Sequence, residues 1–298
     1  MILAVCLNLA LDLTYRVASL RVGATNRVTD VFERAGGKAV NVARVLDALG
    51  HDVVVVGFAG GRVGDAVLAE LDAAGLAHEL VAIAGQTRRT LIVLEDGGGE
   101  PTGISEPGPC VSGDEWEAFA DAFRSRVRDA SAVVLSGTLP PGLRTGAYAT
   151  LISGAGDVPA LLDAAGEPLR LGAAAGPAIV KANRAEIGGD ADDVIAAAQR
   201  LRAAGAGAVV VTRGEQGLVA VTEEGVLRAA APETVAGNPI GAGDAASAAL
   251  VAGMVAATPW QERLADAAAL SAACVRAPVA GSFDAEAYAR YRAAGASR

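Results

Sequence analysis

The chain has 298 residues, 52 % of them hydrophobic and 20 % charged, with a formal net charge of −9. So much apolar side chain excludes a disordered polypeptide and is enough for one sizeable core. The negative balance, without any long basic run, argues against nucleic acid or an anionic membrane surface as a partner, but a few local cations can still hold a small anion.

Met1-Ile2-Leu3-Ala4-Val5 opens the chain without a basic segment, and Asn8 and Asp12 interrupt it early. It reads as a buried strand, not as a signal peptide. Residues 12–34 set Leu13, Tyr15 and Val17, then Val28, Val31 and Phe32, between polar neighbours, which predicts half-buried strands. A helix is expected over 41–49, a strand over 53–56 and a helix over 64–74. Residues 87–105 read as a hairpin that turns at Asp96-Gly97-Gly98-Gly99. Further on, helices are expected over 114–127, 192–204 and 244–257, and strands over 132–135 and 209–211. The strands are short β-branched runs with little alternation, as expected of strands buried on both faces. Residues 245–257 are too few to span a bilayer and predict a core helix.

Strand and helix alternate along most of the chain, which predicts an α/β fold: a three-layer sandwich around a central, mainly parallel sheet. The two alternating segments predict a separate small β-sheet, suited to a lid. The expected division is 1–11, 35–85 and 107–298 for the main α/β part, and 12–34 with 86–106 for the lid. Ligands of such sheets bind at the carboxyl ends of the strands. Cys6, Cys110 and Cys274 are odd in number, far apart and without a CxxC pair, so free thiols in a reducing cytoplasm are expected. His51 and His78 are the only histidines and read as surface or turn residues, which disfavours histidine catalysis and metal ligation.

Two glycine-rich segments carry chemistry. Gly237-Asn238-Pro239-Ile240-Gly241-Ala242-Gly243-Asp244 runs straight into an apolar helix. Glycines admit a close ligand and a helix start offers free N–H groups, a combination that forms an anion hole. Asp244 there is either an N-cap or a general base. In Ala35-Gly36-Gly37-Lys38-Ala39-Val40-Asn41 the backbone can meet sugar hydroxyls, Asn41 can donate and accept, and Lys38 is either solvated or a phosphate ligand.

Together, in this order and at this separation, the two segments resemble the two signature motifs of the ribokinase-like carbohydrate kinases. The resemblance covers almost the whole chain and is nearest to the branch of 1-phosphofructokinase and tagatose-6-phosphate kinase. Asn8-Leu9-Ala10-Leu11-Asp12, Asn26-Arg27-Val28, Thr87-Arg88, Ser105-Glu106-Pro107-Gly108-Pro109 and Ser136-Gly137-Thr138-Leu139-Pro140-Pro141-Gly142 resemble motifs of that branch. So do Leu162-Asp163-Ala164-Ala165-Gly166-Glu167, Lys181-Ala182-Asn183-Arg184-Ala185-Glu186 and Thr212-Arg213-Gly214-Glu215-Gln216-Gly217. The chain departs from the branch at Leu9, Ala39, Ser105, Ala164-Ala165 and Ala182, and carries Pro239 where threonine is frequent.

The resemblance implies ATP and Mg²⁺ as cofactors and a phosphosugar as acceptor, fructose 1-phosphate first, then tagatose 6-phosphate or fructose 6-phosphate. It implies Asp244 as base, with Gly241, Ala242 and Gly243 as the anion hole. The sugar would meet Asp12, Arg27, Gly36, Gly37, Lys38, Asn41, Arg88 and Ser136. The nucleotide would meet Lys181, Asn183, Glu186, Thr212, Gly214, Gly217 and Asn238, and Asn183 and Glu186 would hold Mg²⁺ through water. As residues alone, Arg88-Arg89 is also a solvated strand face and Asn183 also a helix cap. Related lids often pair into homodimers, and Val17, Val31 and Phe32 offer an apolar face for that. The alternatives are a phosphosugar sensor that lacks turnover, and a kinase for another small alcohol such as a nucleoside or vitamin precursor.

Overall fold

The computed structural model describes residues 1–188 and 194–295. The chain begins with β1 (Ile2–Cys6), then passes through β2 (Ala10–Val17), β3 (Val28–Gly36), α1 (Lys38–Ala48), β4 (Val53–Ala59), α2 (Gly61–Ala73) and β5 (His78–Ala82). β6 (Arg88–Glu95), β7 (Thr102–Ser105), α3 (Gly113–Arg126), β8 (Ala132–Ser136), α4 (Ala147–Gly154) and β9 (Ala160–Asp163) follow. Next come α5 (Gly166–Ala174), β10 (Ile179–Asn183), α6 (Arg184–Ile187), α7 (Val194–Ala204) and β11 (Ala208–Thr212). The chain closes with β12 (Leu218–Thr222), β13 (Gly225–Ala229), α8 (Ala242–Val255), α9 (Trp260–Val275) and α10 (Ala285–Gly295). The helix expected over 192–204 is described from Val194 onward; its first two residues lie outside the described residues.

Nine strands form the central sheet in the order β13-β12-β11-β10-β9-β8-β1-β4-β5. All neighbours are parallel except β12, which runs antiparallel to β11 and to β13. The period-two side-chain alternation of a strand splits the core into two layers. Ile2, Ala4 and Cys6 of β1 pack among α1, α2, α8 and α9. Leu3 and Val5 face the other way, among α3, α4, α5 and α7. With both faces covered, the strands need apolar side chains throughout, and β4 and β8 are buried along their full length.

The remaining four strands form the small sheet, in the order β3-β2-β6-β7. β2 and β6 lie parallel from Ala10↔Arg88 to Val17↔Glu95, and β3 and β7 are antiparallel to them on either side. The hairpin expected over 87–105 is therefore real, but its first strand is also joined to a strand almost eighty positions earlier in the chain.

Opposed residues share a face. One face carries Asp12, Arg34 and Thr90, then Thr14, Phe32 and Ile92. The other carries Leu13, Leu91 and Ile104, then Tyr15 and Val31. This corrects the expected apolar face. Val17 is buried, Val31 is exposed on the outward face, and Phe32, also exposed, lies on the Asp12 side at the narrow cavity.

β1 sits where the sheet's connections change direction, between β4 and β8, the kind of place where open α/β sheets bind ligands at the carboxyl ends of their strands. The loops that follow are tied across this point, where Asn8 Nδ2 donates to Thr138 Oγ1 at 3.0 Å. Helices α1 and α8 begin at the same edge.

Candidate active site

The N-cap of α8 is Gly241, whose φ of 90° is a left-handed conformation that suits glycine. Asp244 is the third residue of the helix, so it is not the N-cap. Its side chain is 6 % exposed, and Oδ2 accepts from Asn41 Nδ2 of α1 at 2.8 Å. A helix N-terminus favours an ionised carboxyl, but burial outweighs it here. Burial pushes Asp244 up to about 7, the negative charge of Asp163 adds to the rise, and Lys181, Lys38 and Asn41 hold it back. Of the three anion-hole amides expected, Ala242 N–H donates to Pro239 O, while those of Gly241 and Gly243 donate to no described residue.

α1 starts at Gly37, with φ 108°. A Cβ at Gly37 would come within 2.6 Å of Cys6 Sγ, so β1 and the helix start meet where no larger residue fits. Gly36 ends β3 against the Asp12 carboxyl. Burial raises Asp12 despite the opposing pull of Arg88, the Gly37 N–H and the Thr90 hydroxyl. Arg88 is half-buried and donates through Nε to Asn8 O at 3.1 Å and through Nη1 to Thr90 Oγ1 at 3.0 Å.

Between the two helix starts lies a charged network that the sequence did not disclose. Asp163, at the carboxyl end of β9, is wholly buried. Lys181 Nζ is 2.9 Å from its Oδ2 and Lys38 Nζ 3.2 Å from its Oδ1, while Lys38 Nζ is also 2.7 Å from Glu186 Oε1. Burial alone would raise the Asp163 carboxyl, but the two lysines hold it below its ordinary range. Burial likewise opposes the Lys38 charge, yet Asp163 and Glu186 hold that ammonium above the usual lysine range. Asn183 and Glu186 form a reciprocal capping box on α6: Asn183 Oδ1 accepts from Glu186 N at 2.9 Å and Glu186 Oε2 from Asn183 N at 2.8 Å.

Two cavities flank this network. The larger, about 830 Å³, is lined by Lys181, Asn183, Thr212, Gly214, Gly217 and Asn238. Its apolar end is built from Leu218, Val235, Ala268, Ala272 and Val275, which makes it roomy enough for a flat ring system. The narrow one, about 20 Å³, lies between Asp12, Phe32 and Arg34 of the small sheet and Asn41 and Asn238 of the main part. Asn238 lines both; its Oδ1 accepts from Ile240 N and its Nδ2 donates to Pro278 O, which pins the loop before α8.

The residues singled out in the sequence thus converge, apart from two. Arg27 is exposed just before β3 and lines neither cavity. Ser136 is wholly buried at the end of β8, its hydroxyl without a partner among the described residues. Sequence reasoning missed Asp163 as a site residue, although an acid ending the apolar run Ala160-Leu161-Leu162 was a usable signal. It also missed Arg34, Arg16 and the tip of the β6–β7 hairpin; Arg16, Asp96, Gly98 and Gly99 line the large cavity. Neither histidine lines a cavity, and no helix among the described residues is long and apolar enough to cross a membrane.

Comparison with known proteins agrees with this architecture. Phosphofructokinase-2 from Escherichia coli, solved with potassium, superposes with a TM-score of 0.90 at 25 % identity, covering 99 % of each chain. A protein described as a possible 1-phosphofructokinase from Thermotoga maritima gives 0.90 at 25 %, covering 98 % of this chain and 97 % of its own. Ribokinase from the same organism gives 0.75 at 17 %, covering 97 % and 98 %, a likeness of fold. Residues 1–286 match the pfkB family carbohydrate kinases, and with the glycine-led helix starts and buried acid described above, the chain belongs to that family as an ATP-dependent sugar kinase.

Proposed function

We propose that the acceptor is a phosphosugar, fructose 1-phosphate first, and that Asp244 removes the proton from the hydroxyl that attacks the γ-phosphoryl of ATP. The observation that carries this reading is Asp244 itself. It is a buried carboxyl at a helix start, pushed up to about 7, the range in which a base is both free and strong enough at neutral pH. In-line transfer needs mostly positioning and charge stabilisation. The amides of Gly241 and Gly243 supply donors for the transferring group, and Ala242 joins them by releasing Pro239 O.

The large cavity takes the nucleotide, its base at the Ala268–Val275 end and its phosphates toward Lys181, Asn183 and Gly243. Asp12, Gly36, Gly37, Asn41 and Arg88 hold the sugar, with Lys38 between sugar and nucleotide. Residues 12–34 and 86–106 act as the lid. The narrow cavity at 20 Å³ has no room for a sugar, so the lid must lift to admit one. Mg²⁺ would neutralise phosphate charge. Glu186, Asn183 and Asp163 are hard oxygen donors that suit it, but the carboxylates are already bonded to lysines and no cluster of three metal-binding side chains occurs among the described residues. That donor set fits a hydrated ion held through water rather than a direct cage.

Fructose 1-phosphate is preferred on the branch motifs and the likeness to the Thermotoga protein. Fructose 6-phosphate and tagatose 6-phosphate are the alternatives, and the similar E. coli enzyme has been solved with fructose 6-phosphate. ADP release is to be measured with ATP and Mg²⁺ against the three phosphosugars and unphosphorylated fructose. Strong preference for one phosphosugar supports the reading; preference for fructose overturns it.

A further inference from the structure

The small sheet brings an arginine, Arg34, to the narrow cavity. Arg34 of β3 is paired in register with Asp12, so both side chains point to the cavity face. Its side chain is 29 % exposed. Behind it, Arg44 of α1 is buried against Glu70 of α2, and the same Glu70 oxygen accepts from Ala35 N at 2.9 Å. Arg34 Nε is 4.0 Å from the other Glu70 oxygen, beyond hydrogen-bond reach. Two guanidinium groups therefore share one carboxylate already engaged by Arg44 and a backbone amide.

Asp12 does not make up the difference, because the opposite charges that act on it are those of Arg88 and, more weakly, Arg44. Burial first, and then the neighbouring Arg44 charge, weaken the hold of Arg34 on its proton, and Glu70 only partly offsets them. The hydrogen bonds of Arg34 go to neutral groups: Nη1 donates to Ser282 Oγ at 2.9 Å and to Ala280 O at 3.4 Å. Its Nη2 donates to no described residue.

A partly buried cation whose counter-charge is shared and 4.0 Å away is better compensated when a ligand brings an anion of its own. A neutral sugar brings none. Arginine offers a phosphate two parallel donors. We propose that Arg34 is a specificity-determining residue that binds the phosphate already carried by the acceptor sugar. This rests on the phosphosugar reading above and adds a ligand to that site.

The test uses the full chain with Arg34→Gln, Arg34→Lys and Ser282→Ala, and measures KM for the preferred phosphosugar, for fructose and for ATP. For Arg34→Gln the phosphosugar KM should rise roughly 10- to 100-fold, the scale of a lost charge-assisted hydrogen bond. The KM values for fructose and ATP should stay within about threefold, which is the reproducibility scale of such context effects. Arg34→Lys should recover part of the loss, and Ser282→Ala, which removes the tether but keeps the charge, should change little. If Arg34→Gln raises the KM for phosphosugar and fructose alike, or if Ser282→Ala matches it, Arg34 is only a structural pin and the proposal fails. If Arg34→Gln does not fold, Arg34→Lys decides: an unchanged phosphosugar KM overturns the role of the guanidinium fork. A wild-type enzyme that prefers fructose removes the phosphosugar reading itself, whereas a wild-type phosphosugar preference with an indifferent Arg34→Gln removes only this proposal.

Discussion

At the scale of single residues, Asp244 sets two expectations with opposite signs. Asp244→Asn keeps the shape and removes the base, so kcat should fall on the order of 10²–10⁴-fold with ATP binding intact. Near-normal turnover in the folded variant would refute the assignment. In the wild type, kcat/KM should fall about tenfold per unit as pH drops below about 7, because the base is then protonated. Stability runs the other way. The folded carboxyl keeps its proton up to about 7, while the unfolded one releases it near 3.8. From about pH 4 to 7 the unfolded state therefore loses protons that the folded state retains, and stability falls by up to roughly 1.4 kcal/mol per unit. Asp244→Asn should melt above the wild type at pH 8, and the gap should close toward pH 4; equal melting temperatures at pH 8 would refute the buried-charge account. Asp244, Asn41 and Lys38 were legible as candidates because each sits beside a glycine-led helix start. Asp163 and Arg34 were not, because their meaning lies in partners far along the chain: Lys38 and Lys181 for one, Glu70 and Ser282 for the other.

Among elements, the apolar strands over 53–56, 132–135 and 209–211 and the helices around them could be read from their apolar patterns, whereas β9, β10, α4 and α5 were not singled out. The edge hairpin of β12 and β13 escaped because strands so near Gly214 and Gly217 look like loop sequence. Helices α9 and α10 escaped because their many alanines blur the apolar stripe. The pairing of β2 with β6 could not be read at all, since register between distant strands leaves no local trace. Element geometry does explain the glycine pair before α1. Gly37→Ala places a methyl against Cys6 Sγ in a backbone conformation that L-residues avoid. It should lower stability by roughly 1–3 kcal/mol, read from the urea midpoint. An unchanged midpoint would mean that the helix start tolerates a side chain and that glycine is kept there only for the ligand.

For the molecule as a whole, the outward face of the small sheet bears on assembly. Val31 and Ile104 are 59 % and 61 % exposed beside half-buried Leu13 and Leu91, an apolar strip on the face of the small sheet turned away from Asp12. The E. coli relative is described in a tetrameric inhibited form. Two copies of this chain meeting face to face through that strip would bury it. Light scattering should find a dimer at micromolar concentration and a monomer for Val31→Asp; a wild-type monomer there would exclude this pairing.

The small sheet also reaches both cavities at once. β2 presents Asp12 and Thr14 to the narrow one and Arg16 to the large one, and β6 does the same with Ile92 and then Leu94 and Glu95. A ligand that settles one end of such a sheet has already met part of the ordering cost at the other. Thermodynamic reciprocity then makes the two affinities rise by one common factor. Titration calorimetry should find that a phosphosugar tightens binding of a non-hydrolysable ATP analogue by the same ratio as the analogue tightens the phosphosugar. Hydrolysis of ATP without an acceptor should then be slower than transfer to a phosphosugar, because a nucleotide alone would meet a sheet not yet settled over it.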